Sequence, residues 1–317
     1  MLLLALLVSS LLAAASDDSV TFASADLKRK LFEQINRDRQ AQGRPAVEYS
    51  EALSRAADAH CREMLEEDYM SHWNRAGWKP YVRYAAAGIY DATQENVSSV
   101  WASHFDQSES QVWNTMLTAH NSFLAEKPPN DGHRRSVLDA RNMYVGIGVA
   151  YSERGLRLIE VFGARYAELG PLPLRATLRD AVEVKGRVLK STQELMAIAV
   201  HYEPPPASMS RAELKLTASY SLPSEEQTVR PSLNYGIYSD GTTGSIAVDR
   251  FGRFSTRLFF WKGKPGIYTV VVWVKEKGQR EGILGAMASV IVEEKRNGTG
   301  ATPLRAPSEP RQPPVFP

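Results

Sequence analysis

The spacing of apolar residues changes once along this chain, at the Pro- and Gly-containing stretch 169–173. Before it, apolar residues recur every three or four positions over several long stretches, which is the period of an amphipathic helix. After it, short apolar runs alternate with turn residues as far as residue 294, which is typical of a β-sheet domain. A chain of 317 residues is long enough to build two hydrophobic cores. The sequence therefore predicts an α+β domain over residues 26–168 and an all-β domain over residues 172–295.

Helical spacing and capping residues place the elements of the first domain. Ser24 or Asp26 and Ser50 are suitable N-caps, since their side-chain oxygens can accept from the free N–H groups of a first helical turn. A Pro- and Gly-containing stretch ends the third helix, and a short helix containing His133 follows it. Two strand-like runs then predict an antiparallel hairpin, so that helices cover a sheet. The predicted helices cover 26–42, 50–69 and 108–123, and the predicted strands cover 144–151 and 156–163.

The second domain is predicted to be a β-sandwich of immunoglobulin or fibronectin type, because its strands are short and separated by turn residues. The run 263–272 resembles the turn and penultimate strand of such modules. The tail 296–317 is rich in Pro, Gly and Thr, so we expect it to be disordered. The predicted strands cover 181–189, 194–202, 212–220, 245–248, 254–261, 266–276 and 286–293.

The start of the chain has the layout of a signal peptide. An apolar run over residues 1–12 precedes the small residues Ala13 and Ala15, which suit a signal peptidase. We expect residues 1–15 to be removed, so that the mature protein is secreted, periplasmic or held at the cell surface. Retention as an anchor is the alternative, because no basic side chain precedes the run. No later stretch is long and apolar enough to cross a membrane.

The single cysteine and the small net charge narrow the class of protein further. Cys61 alone cannot form an internal disulfide, so stability must come from the hydrophobic cores. Exported eukaryotic proteins usually contain several disulfides, which favours a bacterial source. A formal net charge of +2 does not supply the positive field that nucleic-acid binding requires. We therefore expect no nucleic-acid partner.

Five short motifs in the first domain, taken in order, resemble the bacterial branch of the CAP superfamily, which comprises cysteine-rich secretory proteins, antigen 5 and pathogenesis-related proteins. The resemblance covers residues 26–168 and implies an α-β-α sandwich. The motifs are Ile35-Asn36-Arg37-Asp38-Arg39, Met70-Ser71-His72, Gln94-Glu95-Asn96-Val97, Gly132-His133-Arg134-Arg135-Ser136-Val137-Leu138 and Val145-Gly146-Ile147-Gly148-Val149-Ala150.

The resemblance implies that His72, Glu95 and His133 line one cleft. Two imidazoles and a carboxylate are suitable zinc ligands, so zinc is a possible cofactor and Glu95 a candidate catalytic residue. The separations along the chain are too large for a local metal motif, and the residues alone do not identify a site. Taken alone, each histidine is better explained as a hydrogen-bonded structural residue than as a ligand, and Glu95 is alternatively explained as a helix or loop cap.

The second acidic residue of the family's cleft has no match at its expected place. That place falls near Tyr81-Val82-Arg83, and Asp91 is the only acid between residues 73 and 94. Glu160 is a weak substitute metal ligand, because its neighbours at alternate positions are apolar and a buried carboxylate there would need a partner. The alternative is an edge-strand glutamate that faces solvent.

The remaining candidate residues are less suited to catalysis or metal binding. His60 and Cys61 share the apolar face of the second helix, and we expect both to be buried core residues, with Cys61 unreactive. The other histidines, His104, His120 and His201, have no motif around them. Three aromatic residues near His72 either line a cleft that stacks on a sugar or apolar ligand, or pack the domain. These aromatic residues are Trp73, Trp78 and Tyr81.

Three functions are compatible with these residues. The first is a non-catalytic extracytoplasmic binding protein whose ligand is a small molecule, lipid, glycan or protein, with a β-sandwich as spacer or adhesion module. The second is a zinc-dependent hydrolase in which His72 and His133 hold the metal and Glu95 is the general base. The third is lipid or sterol binding, which the family resemblance allows and no residue selects.

Overall fold

The computed structural model describes residues 19–217, 219–260 and 263–294. The predicted signal peptide and the predicted disordered tail lie outside the described residues. The first domain contains five helices and five strands. Its helices are α1 (Ala25–Ala41), α2 (Glu51–Glu66), α3 (Pro80–Ala86), α4 (Glu109–Ala125) and α5 (Gly132–Leu138), and its strands are β1 (Thr21–Phe22), β2 (Glu48–Tyr49), β3 (Ala92–Trp101), β4 (Tyr144–Ser152) and β5 (Gly155–Ala164).

Serine side chains fix where the three long helices begin. Ser24 Oγ accepts from the N–H of Leu27 at 3.3 Å, and Ser50 Oγ accepts from the N–H of Leu53 at 3.3 Å. Ser108 caps α4 in the same way. Each contact satisfies an N–H that the helix itself leaves free. The three predicted long helices and the predicted hairpin are therefore confirmed.

The sheet of the first domain lies between two helical layers. Its strand order is β1-β4-β5-β3, with β2 on β4, so that β3 is an edge strand and β5 lies inside the sheet. Helix α2 packs on one face, while α1, α4 and α5 pack on the other. Gly148 allows α2 to approach closely, because a Cβ atom there would lie 2.4 Å from the carbonyl carbon of Ala57. The domain is thus the predicted α-β-α sandwich.

The second domain consists of two facing sheets around one core. The first sheet has the order β10-β9-β13-β14-β7 and the second β11-β12-β8-β6. Among the strands that the structure describes in these two sheets, β14 and β7 pair in parallel and the others pair antiparallel. The predicted all-β character is confirmed. The strands are β6 (Ala167–Leu169), β7 (Arg175–Thr177), β8 (Ala181–Val188), β9 (Gln193–Glu203), β10 (Glu225–Val229), β11 (Ala247–Val248), β12 (Arg253–Phe259), β13 (Gly266–Glu276) and β14 (Ile283–Glu293).

One predicted strand of the second domain is wrong. The described part of the segment 212–220 contains most of a short helix, α6 (Arg211–Leu216), and no strand. Ser210 and Glu213 form a reciprocal capping box, in which each side chain accepts from the other residue's backbone N–H. The helix also buries Leu214 against the first domain. Strong local capping and this tertiary contact together outweigh the strand-like alternation.

The two domains share an extensive apolar contact. Tyr81 and Val82 of α3 pack against Val271 and Met287 on the outer face of the five-stranded sheet. A backbone hydrogen bond from the N–H of Met287 to the carbonyl of Tyr90 measures 2.8 Å. Helix α3 is therefore held between the domains. Among the described helices, none combines the length and apolar character that a bilayer crossing requires.

Candidate functional site

Glu95 lies on the edge strand β3, and its side chain is fully buried on the face that α2 and α3 cover. His72 Nδ1 donates to Glu95 Oε1 at 2.9 Å. Arg83 Nη2 lies 2.9 and 2.8 Å from the two carboxylate oxygens, and the Tyr84 hydroxyl donates to Oε2 at 2.5 Å. We call these four residues the cleft cluster. Helix α3 supplies Arg83 and Tyr84 from consecutive positions.

The charges in the cleft cluster fix the protonation state of Glu95. Burial alone would raise the pKa of Glu95, but the Arg83 guanidinium and the hydrogen bond from His72 outweigh burial and hold it well below its usual range. In turn, the carboxylate raises the pKa of Arg83 against the effect of burial. Burial and the same carboxylate raise the pKa of the Tyr84 hydroxyl. Glu95 is therefore an ionised carboxylate in a buried ion pair.

The cleft cluster does not fit a zinc ion. Both oxygens of Glu95 already accept hydrogen bonds from positively charged or hydroxyl donors, and the buried Arg83 would repel a divalent cation beside it. Within the described part of the chain, no group of three or more His, Cys, Asp or Glu side chains is arranged to hold a metal ion. The guanidinium thus supplies the positive charge that the carboxylate requires.

His133 is held by the loop that precedes its own helix. Its Nδ1 contacts Glu126 Oε1 at 2.5 Å, and its backbone N–H donates to Glu126 Oε2 at 2.9 Å. Its carbonyl accepts from Asn96 Nδ2 at 3.1 Å. Since Asn96 follows Glu95 on a strand, the two side chains point to opposite faces of the sheet. Between residues 19 and 294, leaving aside 218 and 261–262, no hydrogen bond or ion pair connects His133 with His72 or Glu95.

Glu160 is fully buried on the interior strand β5, so its interpretation as a solvent-facing edge residue is wrong. Its Oε1 lies 2.8 Å from His120 Nδ1, while His120 Nε2 lies 3.2 Å from Asp38 Oδ2. Burial would lower the pKa of His120, but the carboxylates outweigh burial and raise it. No motif singled out His120, because its partners are distant in sequence. These three residues stabilise the opposite side of the sheet from Glu95.

The other two residues predicted to lie in the core are buried as expected. Cys61 is completely inaccessible, and burial raises the pKa of its thiol. His60 Nε2 donates to the Ser71 carbonyl at 2.9 Å, and burial followed by the nearby Arg83 lowers its pKa to about 3. Neither side chain is available for chemistry.

The open side of the cleft cluster is covered by a segment from the second domain. This crossover segment, residues 204–222 without residue 218, belongs to the connection from β9 to β10. The Tyr220 ring lies 4.9 Å from the His72 ring, and the Tyr220 hydroxyl accepts from the outward-facing N–H of Glu95 at 3.2 Å. Leu214 is completely buried among residues of α2. The cleft is thus filled by the chain itself.

Polar contacts hold the crossover segment and its flanks along the first domain. Ser71 Oγ donates to the Thr217 carbonyl at 2.7 Å, and Trp73 Nε1 donates to the Ser219 carbonyl at 3.0 Å. Lys79 and the buried Tyr81 both donate to the Glu203 carboxylate. The aromatic residues near His72 therefore pack the domain interface.

The first domain is an α-β-α sandwich with a buried histidine–glutamate pair at its edge strand, and it is joined to a β-sandwich. Residues 32–164, less than half of the chain, match the model of the cysteine-rich secretory protein (CAP) family, so the first domain is similar to the domains of that family. This match confirms the resemblance that the five motifs indicate.

The relatives are bacterial. The uncharacterized protein YkwD of Bacillus subtilis (strain 168) is 24% identical over 129 residues, which are 40% of this chain and 43% of that protein. The alignment therefore spans less than half of the curated relative's length.

Three solved structures align with a similar share of the chain. An outer surface protein from Borrelia burgdorferi is 16% identical, with a TM-score of 0.37 over 46% of this chain and 99% of its own. An extracellular SCP-domain protein from Bacillus anthracis str. Ames is 18% identical, with a TM-score of 0.35 over 44% of this chain and 41% of its own. The CAP domain of enterococcal PrgA is 14% identical, with a TM-score of 0.32 over 44% of this chain and 63% of its own.

Proposed function

We propose that this is an exported, non-catalytic interaction protein in which the cleft cluster is a docking site for the chain's own second domain. The observation that carries this proposal is the Arg83–Glu95 ion pair beneath Tyr220. This ion pair gives the cleft cluster a structural role that needs no external ligand. Export is inferred from the apolar start of the sequence. Because the cleft cluster is occupied by the chain itself, the second domain is the part of the protein that is available to bind a partner.

A hydrolytic role for Glu95 is disfavoured by its environment. A general base needs an unoccupied lone pair directed at a water molecule and a pKa near the working pH. Both oxygens of Glu95 are engaged, and its pKa is held well below its usual range by Arg83 and His72. A carboxylate with so low a pKa is a weak base. A lipid or sterol would also have to displace the crossover segment from the cleft.

We propose in addition that the second domain is immunoglobulin-like. One of its sheets contains β9, β13 and β14, and the other contains β8 and β12. This matches the assignment of the C, F and G strands to one sheet and the B and E strands to the other in immunoglobulin folds. Such modules present loops at both ends of the sandwich, where binding sites are built.

The docking proposal is tested by two leucine substitutions in the same short helix. Leu214 is completely buried against the first domain, whereas Leu216 is 87% exposed. Leu214→Ala should release the crossover segment, because truncation of a buried leucine costs about 2–5 kcal/mol. Limited proteolysis followed by mass spectrometry should then show faster cleavage within residues 204–222 than in the wild type, while Leu216→Ala should behave like the wild type. Equal cleavage in all three proteins would refute the docking role.

Metal titration separates this proposal from the zinc hydrolase. Calorimetric titration of the purified wild type with zinc should show no stoichiometric site, and His72→Ala, His133→Ala and the exposed-residue control His104→Ala should match it. Stoichiometric zinc that is lost in both His72→Ala and His133→Ala, and kept in the control, would favour the hydrolase instead.

A further inference from the structure

Three turns of the second domain surround a surface groove of about 840 Å³. One turn connects β8 to β9, the second connects β11 to β12, and the third begins at Lys277 after β13. The N–H of Lys277 donates to the Thr192 carbonyl at 2.9 Å, which joins the third turn to the first. The N–H of Val188 donates to the Gly252 carbonyl at 3.0 Å, which joins the second turn to β8. We call this site the loop-end groove.

Positive charge in the loop-end groove exceeds negative charge. Its two acidic residues are already neutralised, since Asp249 pairs with Arg253 at 2.7 Å and Glu194 pairs with Lys275 at 3.0 Å. Three further lining cations, Lys190, Arg250 and Lys277, have no carboxylate partner among the described residues, and Lys190 Nζ lies 5.2 Å from the centre of the Tyr166 ring. The groove therefore has three uncompensated positive charges.

An exposed aromatic ring lies next to two of the arginines. Phe251 is 59% exposed, and the guanidinium carbons of Arg250 and Arg253 lie 4.7 and 5.3 Å from its ring centre. The turn that carries Phe251 is rigid, because Asp249 Oδ1 accepts from the backbone N–H groups of Phe251 at 2.8 Å and Arg253 at 3.0 Å. The backbone of the turn is thereby held in place, and 59% of Phe251 remains exposed beside the two guanidinium groups.

We propose that the loop-end groove binds an anionic glycan, whose sugar rings stack on Phe251 and whose carboxylate or phosphate groups pair with Lys190, Arg250 and Lys277. An aromatic face flanked by arginines matches a ligand that alternates apolar ring faces with negative charges. The volume accommodates several sugar units.

The experiment uses the full chain and a hexamer of galacturonic acid as the probe, with binding measured by calorimetry at low ionic strength. Phe251→Ala should raise the dissociation constant about tenfold, and its matched control is Phe259→Ala, because Phe259 is 61% exposed and does not line the groove. Arg250→Glu should weaken binding by about tenfold or more, while Arg257→Glu, an exposed arginine outside the groove, should have little effect.

Three further probes distinguish the ligand classes. Neutral maltohexaose should bind much more weakly than the galacturonate hexamer, and so should polyphosphate and a thymidine dodecamer. The proposal is overturned if the galacturonate hexamer does not bind, or if Phe251→Ala and Phe259→Ala bind it equally well. Polyphosphate or DNA binding as tight as that of the glycan would also overturn it, because the site would then be a non-specific cation patch. None of these results bears on docking at the cleft cluster, which the Leu214→Ala comparison tests separately.

Discussion

Replacement of Arg83 by methionine tests how the cleft cluster is stabilised. The Arg83 and Glu95 side chains are 8% and 0% exposed, and they lie 2.8 Å apart. Removal of one partner from such a buried ion pair leaves an uncompensated charge and costs about 3–5 kcal/mol. We therefore expect Arg83→Met to lower the free energy of unfolding by about this amount near neutral pH, as measured by urea denaturation.

The pH dependence of this loss has a definite sign. In the wild type the folded-state pKa of Glu95 is below its ordinary value, so its stabilising contribution is present above about pH 4.3 and is lost as the pH falls. In Arg83→Met, burial without the guanidinium should raise the folded-state pKa, so that Glu95 destabilises the fold above that pH. The difference in free energy of unfolding between the two proteins should thus be largest near neutral pH and shrink towards pH 4.

Two further variants decide whether the reasoning is correct. Arg83→Met combined with Glu95→Gln should recover much of the lost stability, because no buried charge then remains unpaired. Arg75→Met is the matched control, since the Arg75–Glu67 pair has the same 2.8 Å distance but side chains 45% and 48% exposed, and it should cost less than about 1 kcal/mol. The reasoning fails if Arg83→Met costs no more than Arg75→Met, or if the double variant is no more stable than the single one.

Two other predictions concern single residues. Tyr220→Phe removes the acceptor of the Glu95 N–H, so hydrogen exchange at that amide should accelerate, while Tyr238→Phe, which removes a hydroxyl bonded to a carbonyl in the second domain, should leave it unchanged. Identical exchange at the Glu95 amide in both variants would contradict this. Because the folded-state pKa of His120 is raised, its stabilising contribution is complete below about pH 6.5 and is lost as the pH rises. Urea denaturation should therefore show a steeper loss of stability above that pH in the wild type than in His120→Gln, and parallel curves would disprove the assignment.

The cleft cluster and the domain interface share helix α3. Arg83 and Tyr84 contact Glu95 from one side of α3, while Tyr81 and Val82 of the same helix contact the second domain. A change at the cleft cluster is therefore expected to affect the domain interface as well. Binding in this protein is then expected at surfaces such as the loop-end groove, which is built from the second domain alone.

Local rules explain how much of the fold could be predicted from the sequence. The long helices could be located because their apolar residues recur at helical spacing and because Ser24 and Ser50 cap the first two. Strand β3 and helix α3 were not predicted as elements, since neither has clear periodicity of its own. Both are formed through contacts, β3 by pairing with β5 and α3 by packing between the domains.

The sequence by itself determined the α+β class of the first part of the chain, the all-β class of the part that follows, and the family motifs that contain His72, Glu95 and His133. Only the tertiary structure decided what those residues do. Glu95 contacts Arg83, which is 12 positions away in the sequence, and Tyr220, which is 125 positions away. No local pattern specifies contacts at such separations. Packing of α3 between the two domains determines them, because the same burial that removes Glu95 from water makes a positively charged partner necessary.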